Sequence, residues 1–598
     1  MLYANVVLGL PIEGPFDYLV SVDLESKINI GVRVWVNFRN KKVVAYVVEL
    51  NNKTKIKQVK EILSVIDTYP VLNESLLLLT KRLAQYYCCS WGEAIDAALP
   101  DELRKGSKVD LVSSDSVLPQ DDCPRSLFVQ GFDRMPVYLR EIKKSLVEKK
   151  SVIFLCSNIV MVKKVEEAVR DSLGVGVFIA YRKQPDEAEV WSKIKQADNC
   201  VVVGTRSGIF SPVNNLGLII IDQEDDQVYK QEQVPHYHAR EVALMRAQIQ
   251  GAKVVLGSHC LSLESYYSLQ KDKLDLEVIP AKLTYPQVKV IDVRRLAYAE
   301  RKNRSMFSKF LVDAIQIALL EKGKILLVIN RKGFATTVAC HNCGVALKCP
   351  RCNINLVLHF DGNELKCHHC NFKMPLPKIC PNCSAGYIKY FGLGTEKVES
   401  ELARIFPQAR IGQDIVVATG AVFSQQELNF DLIGVMVIDD SLNRVDYRAA
   451  EKTFFMLSGI INLTSKKVII QSSNSGHHCF QALIKNDPQL FLKEELKQRR
   501  QMNFVPFSHM ILLKMRGRDL DKVKKSAQSL FQRLSEIKTN SLKLLSLNPG
   551  QPAKLRGNFY YQILMRTPNV ERANRFIKLH LKDGHYSGII VTVDVDPV

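Results

Sequence analysis

No stretch of this 598-residue chain offers the roughly 20 consecutive apolar residues that a bilayer-spanning helix needs. Its longest apolar runs, such as Leu216–Ile221 and Lys324–Ile329, have the length of strands. The first twenty residues lack a basic start followed by an apolar stretch and carry Pro11, Glu13, Pro15 and Asp17 instead. No secretory signal is read there, and a cytoplasmic, nucleoid-associated protein without a membrane partner is expected. Glycine and proline are modest, 30 and 23 residues spread along the chain, and 46% of residues are hydrophobic, which excludes collagen-like and disordered compositions. A loop of the form G-x-x-x-x-G-K-[ST], which cradles phosphates, is also missing: the one Gly-Lys pair, Gly323-Lys324, is followed by Ile325. Acidic residues are in deficit, 62 against 82 Lys plus Arg, and a charge of +20 with a pI near 9.2 favours a polyanionic partner, nucleic acid first.

The length allows several domains. Residues 1–50 alternate apolar and polar positions in short runs broken by Gly and Pro, which predicts a small antiparallel β domain, with a helix over 73–87 packed on it. Apolar residues thin out over 101–125, read as a linker. Strand-sized apolar runs with helical stretches between them then recur at 126–129, 152–156, 175–179, 200–203, 216–221 and 253–257. They recur again at 288–292, 325–329, 414–417, 432–438 and 468–471. Strands buried on both faces and joined by helices predict two tandem parallel α/β lobes, 126–286 and 287–338 with 384–500. The last segment, 501–598, reads as an α+β domain.

A cysteine-rich stretch, 339–383, interrupts the second lobe. Four C-x-x-C pairs occur there: Cys340 and Cys343, Cys349 and Cys352, Cys367 and Cys370, Cys380 and Cys383. Two residues between thiolates let one tight turn present both sulfurs to one tetrahedral ion, and eight thiolates predict two zinc ions. From Arg331 to Cys383, seven Lys or Arg stand against two Asp or Glu, so the module is a structural staple, a nucleic-acid contact, or both.

Several runs then carry a resemblance. They are Gly204-Thr205-Arg206-Ser207-Gly208-Ile209-Phe210-Ser211-Pro212, Tyr229-Lys230-Gln231-Glu232, Tyr237-His238-Ala239-Arg240, Asn330-Arg331-Lys332-Gly333, Gly392-Leu393-Gly394-Thr395-Glu396, Asp446-Tyr447-Arg448-Ala449-Ala450-Glu451, Lys554-Leu555-Arg556-Gly557-Asn558-Phe559 and Asp594-Val595-Asp596-Pro597. Together with the four cysteine pairs they resemble the PriA family of bacterial replication-restart helicases. The resemblance implies two RecA-like lobes of the superfamily 2 helicase type, with a 3′-DNA-end-binding domain over 1–100. It implies one zinc held by Cys340, Cys343, Cys380 and Cys383 and another by Cys349, Cys352, Cys367 and Cys370. It further implies DNA contacts at Phe16, Asp17, Tyr18, Lys57, Thr205, Arg206, Ser207, Tyr229, Lys230, Tyr237 and Arg240. Implied partners are forked or single-stranded DNA, primosome or replicative-helicase-loading proteins, and single-strand-binding protein.

The chain departs from the family where ATP would be handled. After the strand at 126–129, where the family has its glycine-rich loop, stands Gln130-Gly131-Phe132-Asp133-Arg134-Met135-Pro136. The family's Asp-Glu-Glu-His motif is Asp222-Gln223-Glu224-Asp225, and an amide at 223 cannot orient or deprotonate a water as a carboxylate does. Asp222 and Glu224 are left as remnants. No arginine occurs between Arg448 and Arg499, where the family places arginines that stabilise the transferring phosphate. A winged-helix domain expected after the first hundred residues is replaced by the linker. ATP and Mg²⁺ binding are therefore in doubt, and the expectation is a pseudohelicase, a DNA-binding restart factor without ATPase activity. An active ATP-dependent 3′–5′ helicase is the alternative, and a zinc-stapled scaffold that binds proteins is the second. Lys497, Arg499 and Arg500 are read as a solvated helix face.

Overall fold

The computed structural model describes residues 1–109, 124–280, 285–295, 306–329, 336–340, 343, 347–351, 356–359, 364–367, 372–385, 388–391, 395–419, 430–436, 438–443, 446–536, 542–582 and 586–597. Residues 2–65 form a five-stranded sheet in which strand Leu2–Leu8 pairs antiparallel with Phe16–Val20 on one side and Lys41–Asn51 on the other. Helix Glu74–Tyr86, begun by the Asn73 side chain accepting from the Leu76 amide, and helix Trp91–Ala98, begun by a Ser90–Glu93 capping box, follow it. The short helix Asp101–Arg104 belongs with this domain rather than with a linker. Leu103 is buried, and the buried Arg33 guanidinium, paired with Asp67, donates to the carbonyls of Leu103 and Ser107.

The first lobe is a seven-stranded parallel sheet. Strand Ser126–Gln130 lies between Leu274–Val278 and Lys253–Ser258, and the order continues through Leu216–Asp222, Ser151–Leu155, Val201–Gly204 and Val177–Ala180. Its central strands, Ser-Val-Ile-Phe-Leu and Leu-Gly-Leu-Ile-Ile-Ile-Asp, are buried on both faces because helices cover each side. The second lobe is a five-stranded parallel sheet, Gln287–Asp292, Thr464–Ser472, Phe430–Met436, Ile325–Ile329 and Ile415–Thr419. Between its strands Ile325–Ile329 and Ile415–Thr419 the chain makes a separate five-stranded antiparallel sheet of three- to five-residue strands, from Thr336–Cys340 to Ile388–Phe391. The C-terminal domain is a four-stranded antiparallel sheet, 543–555, 558–567, 509–517 and 589–595, with helices Leu520–Ser535 and Val570–Lys582.

Two parallel α/β sheets are present, as the hydrophobic rhythm predicts. Arg499, expected in solvent, is instead 2% exposed and pairs with Glu495 and Glu451. No helix among the described residues is long and apolar enough to cross a membrane.

Candidate functional site: a filled cleft and a thiolate cluster

In a RecA-like lobe, nucleotide phosphates meet the turn between the first strand and its helix. Here that turn is four residues, Gly131–Arg134, between strand Ser126–Gln130 and helix Met135–Val147. Pro136 near the helix start has no amide to donate. Arg134 turns inward from the helix N-cap. Its Nε lies 2.8 Å and its Nη2 2.7 Å from the Asp222 carboxylate, and its Nη1 donates to the Gly131 carbonyl. The Tyr138 hydroxyl, one turn on, donates to the same Asp222 oxygen at 2.8 Å. Burial opposes the guanidinium charge and Asp222 outweighs it, so the Arg134 pKa rises above its ordinary value. The cation that Asp222 meets is thus supplied by the protein, from the segment where a phosphate loop would stand. Phe132 lies over the His259 ring, centroids 5.6 Å apart, and His259 meets Phe455 of the second lobe edge-on at 6.4 Å.

The rest of the acidic motif is also occupied. Gln223 has a left-handed backbone, φ 53°, and its amide oxygen accepts from the Ser157 hydroxyl at 2.8 Å. Glu224 is 0% exposed and accepts from Arg240 Nη1 at 2.6 Å, Ser265 Oγ at 2.9 Å and the Ser262 amide at 3.1 Å. Asp225 accepts from Ser258 Oγ at 2.5 Å, and burial pushes its carboxyl up to about 7.

Arg240 begins a chain of alternating charges that crosses from one lobe to the other. Arg240 reaches Glu264 at 3.7 Å, Glu264 pairs with Arg448 of the second lobe at 2.6 Å, and Arg448 stands 3.4 Å from Glu451. Glu451 pairs with Arg499 at 2.8 Å and accepts from the Leu263 amide of the first lobe at 3.0 Å. Burial opposes the Glu264 charge, but Arg448 and Arg240 hold its carboxyl far below the ordinary range. A cavity of about 680 Å³ opens beside this chain where the lobes meet both terminal domains, with Tyr86, Glu241, Tyr267, Lys271, Phe455 and His509 on its walls.

The side chains expected on the DNA face separate into two groups. Thr205 and Ser207 are half-buried at a short 3-10 turn after strand Val201–Gly204. Arg206, in the same turn, donates to the Lys230 carbonyl at 2.8 Å, to the Val228 carbonyl and to Gln231. Tyr229, 0% exposed, has its hydroxyl between the carbonyls of Asp222 at 2.6 Å and Leu155 at 3.1 Å. Tyr237 is buried edge-on against Phe210. Base stacking requires an exposed ring face, and neither tyrosine has one. Lys230 pairs with Asp594 at 3.0 Å and donates to the Val595 carbonyl at 2.5 Å, and Arg240 is committed to Glu224. These four side chains hold the protein together.

In the N-terminal domain, Phe16 is half-buried against Phe38 at 5.5 Å, and Asp17 accepts from Asn5 at 2.5 Å and from Thr54. Tyr18 is buried, its hydroxyl donating to the Asn37 carbonyl at 3.1 Å, and Lys57 is exposed.

The Sγ atoms of Cys340, Cys343, Cys380 and Cys383 all lie within 4.8 Å of one another, with Cys340–Cys383 at 3.5 Å and Cys343–Cys380 at 3.7 Å. Four thiolates about 2.3 Å from one tetrahedral zinc stand about 3.8 Å apart, so this set fits zinc. Of the other four, Cys349 and Cys367 are buried in a small core with Leu347, Leu356 and Leu365, while Cys352 and Cys370 lie outside the described residues. The hairpin Lys554–Asn558 of the C-terminal domain touches the module: Lys554 donates to the Pro350 carbonyl at 3.2 Å and the Gly557 amide to that of Arg351 at 3.3 Å.

Sequence reasoning missed Arg134 and Tyr138. Arg134 stood in the segment noted only for what it lacks and Tyr138 just past it, and the available signal was a cation four residues past a strand end.

Two tandem parallel α/β lobes with an inserted cysteine module and flanking N- and C-terminal domains define a multidomain α/β protein. Family models agree segment by segment: "3'DNA-binding domain (3'BD)" matches residues 5–100, "PriA DNA helicase Cys-rich region (CRR) domain" matches 349–375, and "Primosomal protein N C-terminal domain" matches 500–598. The chain belongs to the PriA family. It is 29% identical over 510 residues to replication restart protein PriA of Bacillus subtilis, covering 78% of this chain and 63% of that protein. It is 30% identical over 519 residues to the protein of that name in Synechocystis, covering 79% and 62%. To that of Treponema pallidum it is 27% identical over 658 residues, covering 100% and 99%. The alignments therefore span under two thirds of the length of the first two relatives and nearly all of the third.

Proposed function

We propose that this chain is a replication-restart factor that binds forked or single-stranded DNA and does not hydrolyse ATP. The observation that carries this reading is the direct contact between Arg134 and Asp222 across a four-residue turn. A phosphate loop presents several backbone amides, a lysine and a hydroxyl to phosphate and Mg²⁺. Here the turn is short, proline enters the first helical turn, and a guanidinium pairs with the carboxylate that would meet the metal. A magnesium nucleotide does not fit this arrangement. Gln223, bonded to Ser157, adds the loss of the carboxylate that would orient a water.

DNA binding falls to the surfaces that remain free. Lys57 and the half-exposed Phe16, Thr205 and Ser207 are the contacts we retain among those expected, and the C-terminal domain adds 16 Lys or Arg against 7 Asp or Glu over 501–598. The two cysteine sets hold two zinc ions. Primosome and helicase-loading proteins and single-strand-binding protein are the protein partners, and the site of action is the cytoplasm, at the nucleoid.

The test is DNA-stimulated ATP hydrolysis beside forked-DNA binding, on zinc-loaded protein at one stated salt concentration. Fork binding without hydrolysis is expected. Hydrolysis abolished by Asp222→Asn would restore the motor.

A further inference from the structure

A helicase lobe pair works by opening and closing its cleft as nucleotide comes and goes, because the nucleotide contacts both walls. In this chain both walls are joined without one. Asp222 holds Arg134 where the phosphate loop would be, and the Phe132, His259 and Phe455 rings run in sequence from that turn into the second lobe. Behind them, Glu224, Arg240, Glu264, Arg448, Glu451 and Arg499 alternate in sign across the boundary, each with side-chain exposure of at most 17%.

We propose that side chains of the two lobes bridge the cleft permanently, Glu264 to Arg448 and His259 to Phe455, while Arg134 fills the phosphate-loop position of the first lobe, so that the lobes form one fixed clamp whose grip on DNA is blind to nucleotide. This rests on the reading of the chain as a DNA-binding protein without ATPase activity and adds a mechanical state to it. The physical argument is differential affinity. A ligand shifts a two-state equilibrium only by the difference in its affinity for the states, and the phosphate-loop position from which ATP would favour one of them is taken by Arg134. Opening the cleft would part Glu264 from Arg448, which lie on opposite lobes and are each other's nearest partner at 2.6 Å, and would leave Glu264 only Arg240 at 3.7 Å and Arg448 only Glu451 at 3.4 Å. A buried charge left without its partner is a large penalty, so the closed arrangement is self-maintaining.

The experiment places keto-amino-acid labels at the exposed Lys163 of the first lobe and Lys485 of the second, in the zinc-loaded full chain. The inter-label distance is measured by spin-label or single-molecule methods without nucleotide, with Mg²⁺-ADP and with a magnesium complex of a non-hydrolysable ATP analogue. Fork affinity is measured in the same samples. One narrow distance distribution, unchanged in all three states, is expected, with fork affinities agreeing within about twofold. A nucleotide-dependent shift of more than about 2 Å, or two distance populations without nucleotide, overturns the clamp. Unmoved distances in a protein that fails to bind forks would overturn the DNA-binding reading and leave the clamp standing. Glu264→Gln, which keeps the side-chain volume and removes the charge, should broaden the distribution. A narrow one in folded, zinc-loaded variant would remove the ion pairs from the account.

Discussion

The thiolate cluster and the cleft around Asp222 are both small sets of polar side chains brought together from distant segments, and they differ in what their charges face. In the cysteine module the sulfurs face one another, with Cys340–Cys383 at 3.5 Å and Cys343–Cys380 at 3.7 Å, a geometry stable for thiolates only around a cation. In the cleft each carboxylate faces a protein donor: Asp222 has Arg134 and Tyr138, Glu224 has Arg240, and Asp225 has Ser258. One set still asks for a ligand and the other has answered its own demand. Charge balance at such a site does not depend on a ligand, because a buried carboxylate needs a cation whether or not that cation arrives with substrate.

Removing the ion should have the largest effect. The module has a core of only a few apolar side chains, and a closed four-thiolate site contributes on the order of 10 kcal/mol or more to folding such a segment. Cys380→Ser or a strong chelator should release zinc, read by a colorimetric indicator, and expose the module to protease, whereas neither Mg²⁺ nor ATP should alter protease protection of the first lobe. Protection of that lobe by ATP would erase the contrast between the sites.

Next is Arg134→Ala, which leaves the buried Asp222 without its cation and with only the Tyr138 hydroxyl as donor, and should cost about 3 to 5 kcal/mol in the stability of the first lobe, measured by denaturant titration. The double variant Arg134→Met with Asp222→Leu should recover most of it. If the single variant is as stable as the parent, Asp222 has another cation and the cleft is open to one.

A smaller effect concerns pH. Burial raises the Asp225 carboxyl to about 7, so the folded protein keeps a proton that an unfolded chain gives up near its ordinary value of about 3.9. That contribution to stability is complete below about pH 4 and is lost as pH rises through about 7. The melting temperature of the parent should fall by a few degrees between pH 5 and pH 8 relative to Asp225→Asn, and parallel curves would show that the carboxyl is ionised throughout.

The smallest effects separate scaffold from DNA contact. Tyr229→Phe removes a buried hydroxyl from two carbonyls and should cost about 1 kcal/mol of stability with fork affinity unchanged. Lys57→Ala should leave stability unchanged and lower the slope of log affinity against log salt by about 0.9. If fork affinity instead follows Tyr229, the interior assignment of that ring fails.

The lobes were legible because burial on both faces writes itself as unbroken runs such as Leu216–Ile221, and the cysteine module because thiolate spacing is dictated by the ion. The aromatic and basic residues at 229–240 were not. Their identity matches a family loop, but whether a side chain faces DNA or a core depends on what packs against it: Tyr237 lies on Phe210, the Tyr229 hydroxyl meets the carbonyls of Leu155 and Asp222, and Lys230 is held by Asp594 and the Val595 carbonyl, the latter 365 residues away in sequence. Arg499 misled for a related reason: its neighbours Lys497 and Arg500 suggest a solvated face, while Glu451, 48 residues earlier, draws it inside. Arg134 was hidden by attention to absent glycines, since a motif search reports what is gone and not what has moved into the space.

The two ends of the molecule are fastened together. The Asn574 amide donates to the carbonyls of Tyr86 at 2.6 Å and Gln85 at 3.0 Å, across 489 residues, and Lys578 reaches the Cys89 carbonyl and Glu13. At a synthesis rate of about 5 to 20 residues per second, the face of the first domain that receives this helix waits on the order of half a minute to more than a minute before its cover exists. During that interval the backbone carbonyls of Gln85, Tyr86 and Cys89 are satisfied by water alone, so the order of the molecule's assembly is written into a surface that, once finished, shows no trace of having been exposed.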